Sequence, residues 1–388
     1  VASSLTIWMM WMYYTKYQIY TRWHRFKTTI RISLRRVPAI ARVRNEDTLL
    51  LGLNTQHFQL QLVWACYNTN REIYIPTLSF LQAVEGRPLE ESRKSSQQTN
   101  NNKLILYQWP LSYFSGKIRA FLRFQRNVSS CFEFEEVVAT PQIMRQVLLN
   151  ATRTHTVPQV RMGNGTIVHD STCIMDEVVK SVSSCAIVEP DTVRQRIACQ
   201  ILELIGDEWL LVPAYHWRWA YSGNGTSTQQ MPMVKPDTSR YKDLLREHRK
   251  YNCLQWGYFL SPQKSTKEQE QIGTFLIDNL MLNGNIAIKQ CVRDLGVTDV
   301  SVSAWESSCR RFLSKFDEHL ELIPYILGSK PSTADFALLG PIYAHLSCDP
   351  YPSKYMMKED YPNVFNWSQR LHDKGGGKQA VRGRWMRN

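Results

Sequence analysis

Hydroxyl and carboxyl side chains stand at the predicted start of two helices, Ser112 before one and Asp170-Ser171 before the other. At a helix N-terminus the first backbone N–H groups lack intrahelical acceptors, and the helix dipole presents its positive end. A hydroxyl there can hydrogen-bond a ligand's thiol and favour the thiolate, the form that attacks electrophiles. A carboxylate and a hydroxyl at the start of the second helix can bind the charged head group of an amino acid. All three residues can equally serve as ordinary helix caps.

The residues around these positions predict alternating strands and helices. Short apolar and β-branched runs predict buried strands, and the last two runs flank an Asn-Gly turn that is typical of a hairpin. Ile118, Phe121, Leu122 and Gln125 fall at helical spacing and predict the helix that follows Ser112. The predicted strands are 103–107, 131–138, 159–162 and 166–169. The order β-α-β followed by β-β-α predicts one α/β domain over residues 103–180.

From Val193 onward the pattern changes to helices. Apolar residues between Trp305 and Ile323 recur at i, i+3 and i+4. Ser332 followed three residues later by Asp335 is a capping-box arrangement with Asp in place of Glu, and it precedes a run that is apolar all round. These features predict an all-helical domain over residues 190–372, with the helix after Ser332 at its centre.

The segments described so far resemble the glutathione transferase superfamily, and in particular its serine and cysteine classes. In that family the reactive Ser or Cys lies seven residues before a helix Arg, which corresponds to Ser112 and Arg119 here. Val157-Pro158 resembles the family's cis-proline step, whose preceding residue pairs its backbone with the cysteinyl part of glutathione. Asp170-Ser171 is similar to the motif that binds the γ-glutamyl end. The resemblance implies a thioredoxin-like domain followed by an all-α domain, with glutathione as the ligand.

The turn before the first helix departs from the family's pattern at two positions. Tyr113 stands where the family often has Pro, and Ser115 occupies the second position of the redox-type C-x-x-C spacing. Because Ser stands at both positions of that spacing, thiol–disulfide exchange is not expected at this turn.

The resemblance also implies a role for the aromatic run at residues 209–221. In the family this region lines the electrophile pocket, which makes Tyr215, His216 and Trp219 candidate substrate contacts. The alternative is that this helix end only packs against the first domain.

The net charge of +13 is concentrated at the two ends of the chain. Residues 1–45 hold nine Lys and Arg, residues 374–388 hold five more, and neither segment contains an acid. The body between them is almost neutral, which argues against a nucleic-acid groove and for an acidic surface or partner at the ends. The nine cysteines are scattered without metal-ligand spacing, so neither a disulfide framework nor a metal site is expected.

Residues 1–14 carry no charge and are rich in aromatic and large apolar side chains, and basic residues follow them. The segment 1–45 is therefore predicted to seek a membrane. Because the apolar run is shorter than the ~20 residues of an isolated span, a span, a helix in the interface and a segment buried by a partner all remain open. Residues 46–102 are predicted to be an extension that ends in a polar linker, and residues 373–388 a basic tail.

Two functions follow from these features. The first is an accessory, membrane-associated subunit of a larger assembly, with membrane-protein subunits as partners and the mitochondrial inner membrane as the expected location. The second is a membrane-tethered glutathione transferase that conjugates glutathione to hydrophobic small-molecule electrophiles. The alternative location is the cytoplasmic face of another organelle membrane. Neither a metal nor a nucleic-acid partner is expected.

Overall fold

The computed structural model describes residues 103–183, 185–186, 188–222, 238–282, 292 and 295–374, together with short strands nearer the N-terminus. The chain divides into two compact units, one of residues 35–101 and one of residues 1–34 and 102–388. The strands of the smaller unit are β1 Arg44–Asn45, β2 Thr48–Leu49, β3 Asn54–Thr55 and β4 Phe58–Gln59. Antiparallel pairing joins β1 to β2 and β3 to β4.

A four-stranded sheet organises the first domain of the larger unit. Its strands are β5 Leu104–Gln108, β6 Phe134–Val138, β7 Gln159–Arg161 and β8 Ile167–His169. They lie in the order β6-β5-β7-β8, with β5 parallel to β6 and β7 antiparallel to both neighbours. The predicted strands are confirmed, although their ends differ by up to three residues from the predicted ones.

Helices connect these strands and pack on the sheet. They are α1 Tyr113–Val128, α2 Pro141–Ile143 continued by the π-helical Met144–Leu148 and by Leu149–Thr152, and α3 Ser171–Ser181. The tight turn between β7 and β8 contains Gly165 at φ +86°, a left-handed conformation that glycine adopts without steric cost. The resulting β-α-β and β-β-α order confirms the predicted thioredoxin-type domain.

The second domain is helical, as the sequence predicts. Its first helices are α4 Val193–Leu204, extended by the π-helical Ile205–Trp209, then α5 Leu211–Trp219, α6 Thr238–Leu260, and α7 Thr266–Leu276 with the π-helical Ile277–Leu282. Its later helices are α8 Val302–Leu322, α9 Thr333–Pro341 with the π-helical Ile342–Ser347, α10 Pro350–Pro352 continued by Ser353–Met357 and Lys358–Asp360, and α11 Pro362–Lys374.

The predicted membrane-seeking segment 1–45 lies, except for β1, outside the described residues. In the part of the chain that the structure describes, no helix combines the length and the apolar composition needed to cross a membrane.

The central helix α9 positions the start of α1. All its residues from Ala334 to Pro341 are buried, which explains why its sequence is apolar all round. Phe336 lies with its ring centroid 5.7 Å from those of Phe121 and Phe124 on α1. A Cβ at Gly340 would lie 2.8 Å from the carbonyl oxygen of Tyr113, so α1 can begin this close to α9 only because position 340 is glycine.

The capping box of α9 is confirmed and extends beyond its own turn. The Asp335 carboxylate accepts hydrogen bonds from the Ser332 backbone N–H at 2.8 Å, the Ile326 N–H at 3.0 Å and the Trp367 indole N–H at 3.2 Å. Burial raises the pKa of Asp335 to about 6, although these hydrogen bonds act in the opposite direction. The carboxyl group of Asp335 therefore hydrogen-bonds the start of α9 to the preceding loop and to α11.

The raised pKa of Asp335 makes stability depend on pH. Because the folded state holds this proton more tightly than the unfolded chain, the contribution of Asp335 is largest near pH 3.8 and falls as the pH rises towards about 6. We expect the free energy of unfolding of the wild type, relative to Asp335→Asn, to fall through this window by at most about 1.4 kcal/mol per pH unit. Urea titrations at several pH values measure it, and a difference that stays constant with pH would contradict the assignment.

Candidate functional site

The register of the sheet brings three segments to one edge. Tyr107, near the end of β5, pairs with Gln159 at the start of β7, and Gln159 also pairs with His169 at the end of β8. The end of β5, the start of β7 and the end of β8 therefore lie side by side. Neighbouring strands are separated by about 4.8 Å.

Each residue predicted to bind glutathione lies beyond one of these strand ends. Ser112 follows β5 after a short loop, Val157-Pro158 precedes β7, and Asp170-Ser171 follows β8. The structure thus brings together five residues that are separated by up to 59 positions in sequence.

Ser112 is half-buried and caps α1. Its Oγ accepts a hydrogen bond from the backbone N–H of Ser115 at 3.3 Å, so the capping role considered from the sequence is present. This bond uses a lone pair of the hydroxyl oxygen and leaves the hydroxyl hydrogen able to donate. Capping and hydrogen bonding to a thiolate are therefore compatible in the same side chain.

Two buried guanidinium groups hold the loop that leads to Ser112. Arg119 on α1 donates from Nη2 to the carbonyl oxygen of Pro110 at 3.2 Å and from Nη1 to the side-chain oxygen of Gln108. Arg218 on α5 donates from Nη1 to the carbonyl oxygen of Leu111 at 3.2 Å. Successive carbonyl groups of the loop are thus fixed by different domains.

Each guanidinium is itself fixed by a buried partner. Arg218 pairs with Asp349, with Nε–Oδ2 at 2.7 Å and Nη2–Oδ1 at 3.0 Å. Burial alone would lower the pKa of Arg218, but the Asp349 carboxylate outweighs it and raises that pKa. Arg119 donates from Nε to Nε2 of His372 at 2.7 Å. Burial and the neighbouring arginines lower the pKa of His372 to about 2, so this ring is neutral and its Nε2 is an acceptor.

Val157 is buried, and the Val157-Pro158 peptide bond is cis, as the resemblance implied. Neither the N–H nor the C=O of Val157 takes part in a backbone hydrogen bond within the described residues. This backbone position can therefore pair with an extended peptide ligand laid along the edge.

Asp170 caps α3 in an unusual backbone conformation. Its Oδ1 accepts hydrogen bonds from the N–H groups of Thr172 at 3.0 Å and Cys173 at 3.3 Å. Its φ of +73° is rare for a residue with a side chain, and such conformations cost on the order of 1–3 kcal/mol and cluster at functional sites. Ser171, the first residue of α3, is 2% exposed.

A buried lysine and its carboxylate partners also connect the start of α3 to the helical domain. Lys117 on α1 is fully buried and contacts Glu203 at 2.7 Å and Asp207 at 2.9 Å. Thr172 donates its hydroxyl to the same Glu203 oxygen at 2.9 Å. Burial would lower the pKa of Lys117, but the two carboxylates outweigh it and raise that pKa, so the ammonium group stays charged.

The three predicted substrate contacts occupy different environments on α5. Tyr215 is half-buried and packs against a cluster that contains Tyr113, the neighbour of Ser112. His216 is fully buried and lies 2.8 Å from Glu306 through its Nε2. Trp219 is 3% exposed and faces Trp256 with ring centroids 6.1 Å apart. Tyr215 thus packs beside the neighbour of Ser112, whereas His216 contacts Glu306 and Trp219 contacts Trp256.

Sequence reasoning missed the residues that fix the site. Lysine and arginine usually face solvent, yet Lys117 and Arg119 are 0% and 3% exposed because charged or polar partners come from distant parts of the chain. Arg218 had one signal in the sequence, a charge between Trp217 and Trp219 inside a run of apolar residues. Among the described residues no cluster of His, Cys, Asp or Glu could hold a metal ion.

Two parts of the chain match family models of known proteins. Residues 106–182 match the family model described as Glutathione S-transferase, N-terminal domain, and residues 305–373 match that described as Glutathione S-transferase, C-terminal domain. No match was found among curated protein sequences.

Several solved structures are similar to the chain. A β-etherase from Sphingobium sp. strain SYK-6 is 16% identical, with a TM-score of 0.42, over 72% of this chain and 97% of its own. A Tau class glutathione S-transferase from mango is 13% identical, with a TM-score of 0.40, over 72% and 92%. A glutathione transferase homologue from Sulfitobacter with bound glutathione is 13% identical, with a TM-score of 0.37, over 72% and 96%.

The two family models match in the order of the two domains that the structure contains, and the predicted motifs lie at the expected ends of strands and helices. Residues 106–182 and 305–373 therefore belong to the N- and C-terminal domain families of glutathione S-transferases.

Proposed function

We propose that the chain is a glutathione-dependent transferase that activates the thiol of glutathione beside Ser112 and joins it to a hydrophobic electrophile. The observation that carries the proposal is the order of the three segments along one sheet edge. Ser112, Val157 and Asp170 follow in the order of the thiol, the cysteinyl backbone and the γ-glutamyl head group of glutathione.

The spacing of the edge suits an extended tripeptide. The segments lie beyond three neighbouring strands, so the outer two are separated by about 10 Å, or two strand spacings. An extended peptide spans roughly 3.5 Å per residue, and the γ-linkage lengthens the glutamyl end. The proposed ligand can thus reach from Asp170 to Ser112 while it pairs with the backbone of Val157.

Ser112 supplies the chemistry of the proposed reaction. The thiol proton leaves to solvent, and the Ser112 hydroxyl hydrogen-bonds the thiolate that remains. The thiolate sulfur then forms a bond to an electrophilic carbon, and a leaving group departs with its electron pair. The positive end of the α1 dipole stabilises the same negative charge.

The environment of Ser112 supports a hydrophobic second substrate. Phe114 and Tyr215 are half-buried aromatic residues packed against the cluster of Tyr113, Leu211 and Ala214. Their partly exposed rings lie next to the residue that starts α1. An apolar electrophile bound there would be brought close to the thiolate.

Glutathione binding tests the γ-glutamyl end of the proposed site. Asp170→Asn keeps an acceptor for the cap and tolerates positive φ, but it removes the negative charge that would face the ligand's ammonium group. We expect calorimetric titration of the full chain to show binding weakened by about 1.5–3 kcal/mol. Asp191→Asn, at an exposed position outside the edge, is the matched control and should bind like the wild type. No binding of millimolar glutathione by the folded wild type would refute the proposal.

Two substitutions at Ser112 separate capping from catalysis. Ser112→Ala should lower the free energy of unfolding by about 1 kcal/mol and slow conjugation. Ser112→Asp keeps an N-cap acceptor, so stability should recover, but the carboxylate cannot donate to the thiolate and repels it. Conjugation rates with a model electrophile across pH 6–9 should therefore fall for both variants, with a raised pKa of the bound thiol. Activity that recovers with stability in Ser112→Asp would mean that Ser112 is only a cap.

The distribution of charge supports a second role, an accessory subunit of a membrane assembly. The nine basic residues within 1–45 and the five within 374–388 could meet an anionic membrane surface or an acidic partner. The transferase body would then be recruited to the membrane, with the mitochondrial inner membrane as the proposed location. This role and enzymatic activity are compatible, since a fold does not determine a single function.

Fractionation tests the membrane role. If residues 1–20 insert, the full chain should remain in the membrane pellet after alkaline carbonate wash, and deletion of residues 1–45 should release it. Detergent extracts should contain the chain in a complex larger than its own 45.3 kDa if it is a subunit. Complete release of the intact chain by carbonate would exclude a span, and a monomer in mild detergent would argue against the subunit role.

A further inference from the structure

Arg119 is a buried cation whose hydrogen-bond partners among the described residues are neutral. It is 3% exposed, and it donates to the carbonyl oxygen of Pro110, to the side-chain oxygen of Gln108 and to Nε2 of His372. Because a guanidinium group keeps its proton in proteins, a buried one depends strongly on the acceptors around it. The first two acceptors belong to the loop that leads to Ser112 and to the strand end before it. The third belongs to α11, so this one side chain joins the loop to the helical domain.

The imidazole of His372 is held in one orientation from several sides. Its ring stacks on that of Tyr343 with centroids 3.5 Å apart, and its backbone carbonyl oxygen accepts from Nη1 of Arg123 at 3.2 Å. Nε of Arg119 can only donate, so Nε2 of His372, 2.7 Å away, must be the acceptor. The ring hydrogen therefore lies on Nδ1, which donates to Oδ1 of Asp373 at 2.8 Å. Asp373 thus fixes the tautomer that Arg119 requires.

A neighbouring carboxylate is already engaged and does not replace this acceptor. Glu136 lies close enough to act on Arg119 electrostatically, but Arg123 binds both of its oxygens, at 2.8 and 3.1 Å. Without the acceptor of His372, Arg119 would keep a buried N–H unpaired or turn away from the loop. An unpaired buried donor on a charged group costs more than the loss of an ordinary hydrogen bond. Either outcome loosens the contact between Arg119 and the carbonyl oxygen of Pro110.

We propose that His372 is a positioning residue for the reaction at Ser112 and acts through Arg119, across the interface between the two domains. It keeps the guanidinium on the loop and thereby holds the Ser112 hydroxyl where it can donate to the thiolate. The proposed glutathione contacts at Val157 and Asp170 adjoin β7 and β8 and do not depend on this loop. The inference rests on the proposed transferase function and adds a residue of the helical domain to its thiol activation. Removing the acceptor of His372 therefore slows the chemical step more than it weakens glutathione binding.

Two substitutions of His372 in the full chain separate its acceptor from its packing. His372→Phe keeps a ring that can stack on Tyr343 but removes the acceptor, whereas His372→Gln supplies a neutral side-chain oxygen for Arg119. The reaction is the displacement of chloride from benzyl chloride by the glutathione thiolate, followed across pH 6–9. We expect kcat to fall about tenfold in His372→Phe, with a raised pKa of the bound thiol and an unchanged KM for glutathione. His372→Gln should recover most of kcat and the pKa of the thiol.

A double-mutant cycle with Asp373 tests the tautomer. Asp373→Ala removes the group that holds the hydrogen on Nδ1, so kcat of the otherwise wild-type chain should fall about two- to threefold, as for one weakened hydrogen bond. In His372→Gln no tautomer remains to be fixed, and Asp373→Ala should have no further effect. Such non-additivity is expected for two residues that act through one contact. Equal effects of Asp373→Ala in both backgrounds would contradict this role of Asp373.

Hydrogen exchange reports the loop without relying on activity. The N–H of Ser112 donates to the carbonyl oxygen of Trp109 at 2.9 Å, and opening of the loop exposes it. This amide should exchange faster in His372→Phe than in the wild type, and His372→Gln should restore its protection. His319→Phe is the matched control, because it also replaces a buried histidine, one that bonds the carbonyl oxygen of Ile326 at 3.0 Å. It should change neither kcat nor the exchange of Ser112.

Failure of this inference and failure of the transferase function give different results. If the wild type turns over benzyl chloride but His372→Phe keeps its kcat, thiol pKa and Ser112 exchange, the positioning role is wrong. Equal losses of kcat and melting temperature in His372→Phe and His372→Gln would overturn it as well, because His372 would then only pack. A wild type that does not bind glutathione refutes the function itself. Unchanged exchange of Ser112 in His372→Phe would in that case refute the inference independently.

Discussion

Two buried guanidinium groups hold the loop between β5 and α1, and the geometry of the candidate site depends on them. Arg119 reaches this loop from the helix that follows it, and Arg218 reaches it from the helical domain. The loop lies outside the hydrogen bonds of the sheet, and its other hydrogen bonds are local, from Ser112 N–H to the carbonyl oxygen of Trp109 and from Trp109 N–H to Oγ of Ser115. Breaking a buried charged pair such as Arg218–Asp349 leaves an uncompensated charge, which typically costs about 3–5 kcal/mol. The placement of the Ser112 hydroxyl therefore depends in part on the packing of the two domains, through Arg218 and through His372, the partner of Arg119.

The same dependence on both domains holds at the other end of the site. Lys117 lies on α1, its carboxylate partners lie on α4, and Thr172 at the start of α3 joins them through Glu203. A fully buried ammonium group is tolerated only because two carboxylates compensate it. The helix starts that bear Ser112 and Asp170 are consequently fixed relative to one another by the helical domain, as well as by the sheet. Contacts between the thioredoxin-like and helical domains therefore hold the residues of the candidate site in position.

The order of strands and helices could be predicted from local patterns in the sequence, and the candidate site residues from the resemblance to the glutathione transferase superfamily. Alternating strand and helix signals, the Asn-Gly hairpin and the Ser332–Asp335 cap each act within a few residues, and each is present in the structure. The partners of the buried charges could not be predicted in this way. Arg119 meets His372 across 253 residues, and Arg218 meets Asp349 across 131, and no periodicity in the sequence connects such pairs. The environments of His216 and Trp219 were likewise decided by tertiary packing against Glu306 and Trp256.

The central claim is that glutathione lies along the sheet edge with its sulfur at Ser112. A crystal structure of the full chain with glutathione tests this claim most directly. The account predicts the sulfur within about 3.5 Å of Oγ of Ser112, the cysteinyl backbone paired with Val157, and the γ-glutamyl head group at Asp170 and Ser171. Glutathione bound elsewhere, or bound at this edge with its sulfur turned away from Ser112, would contradict the account.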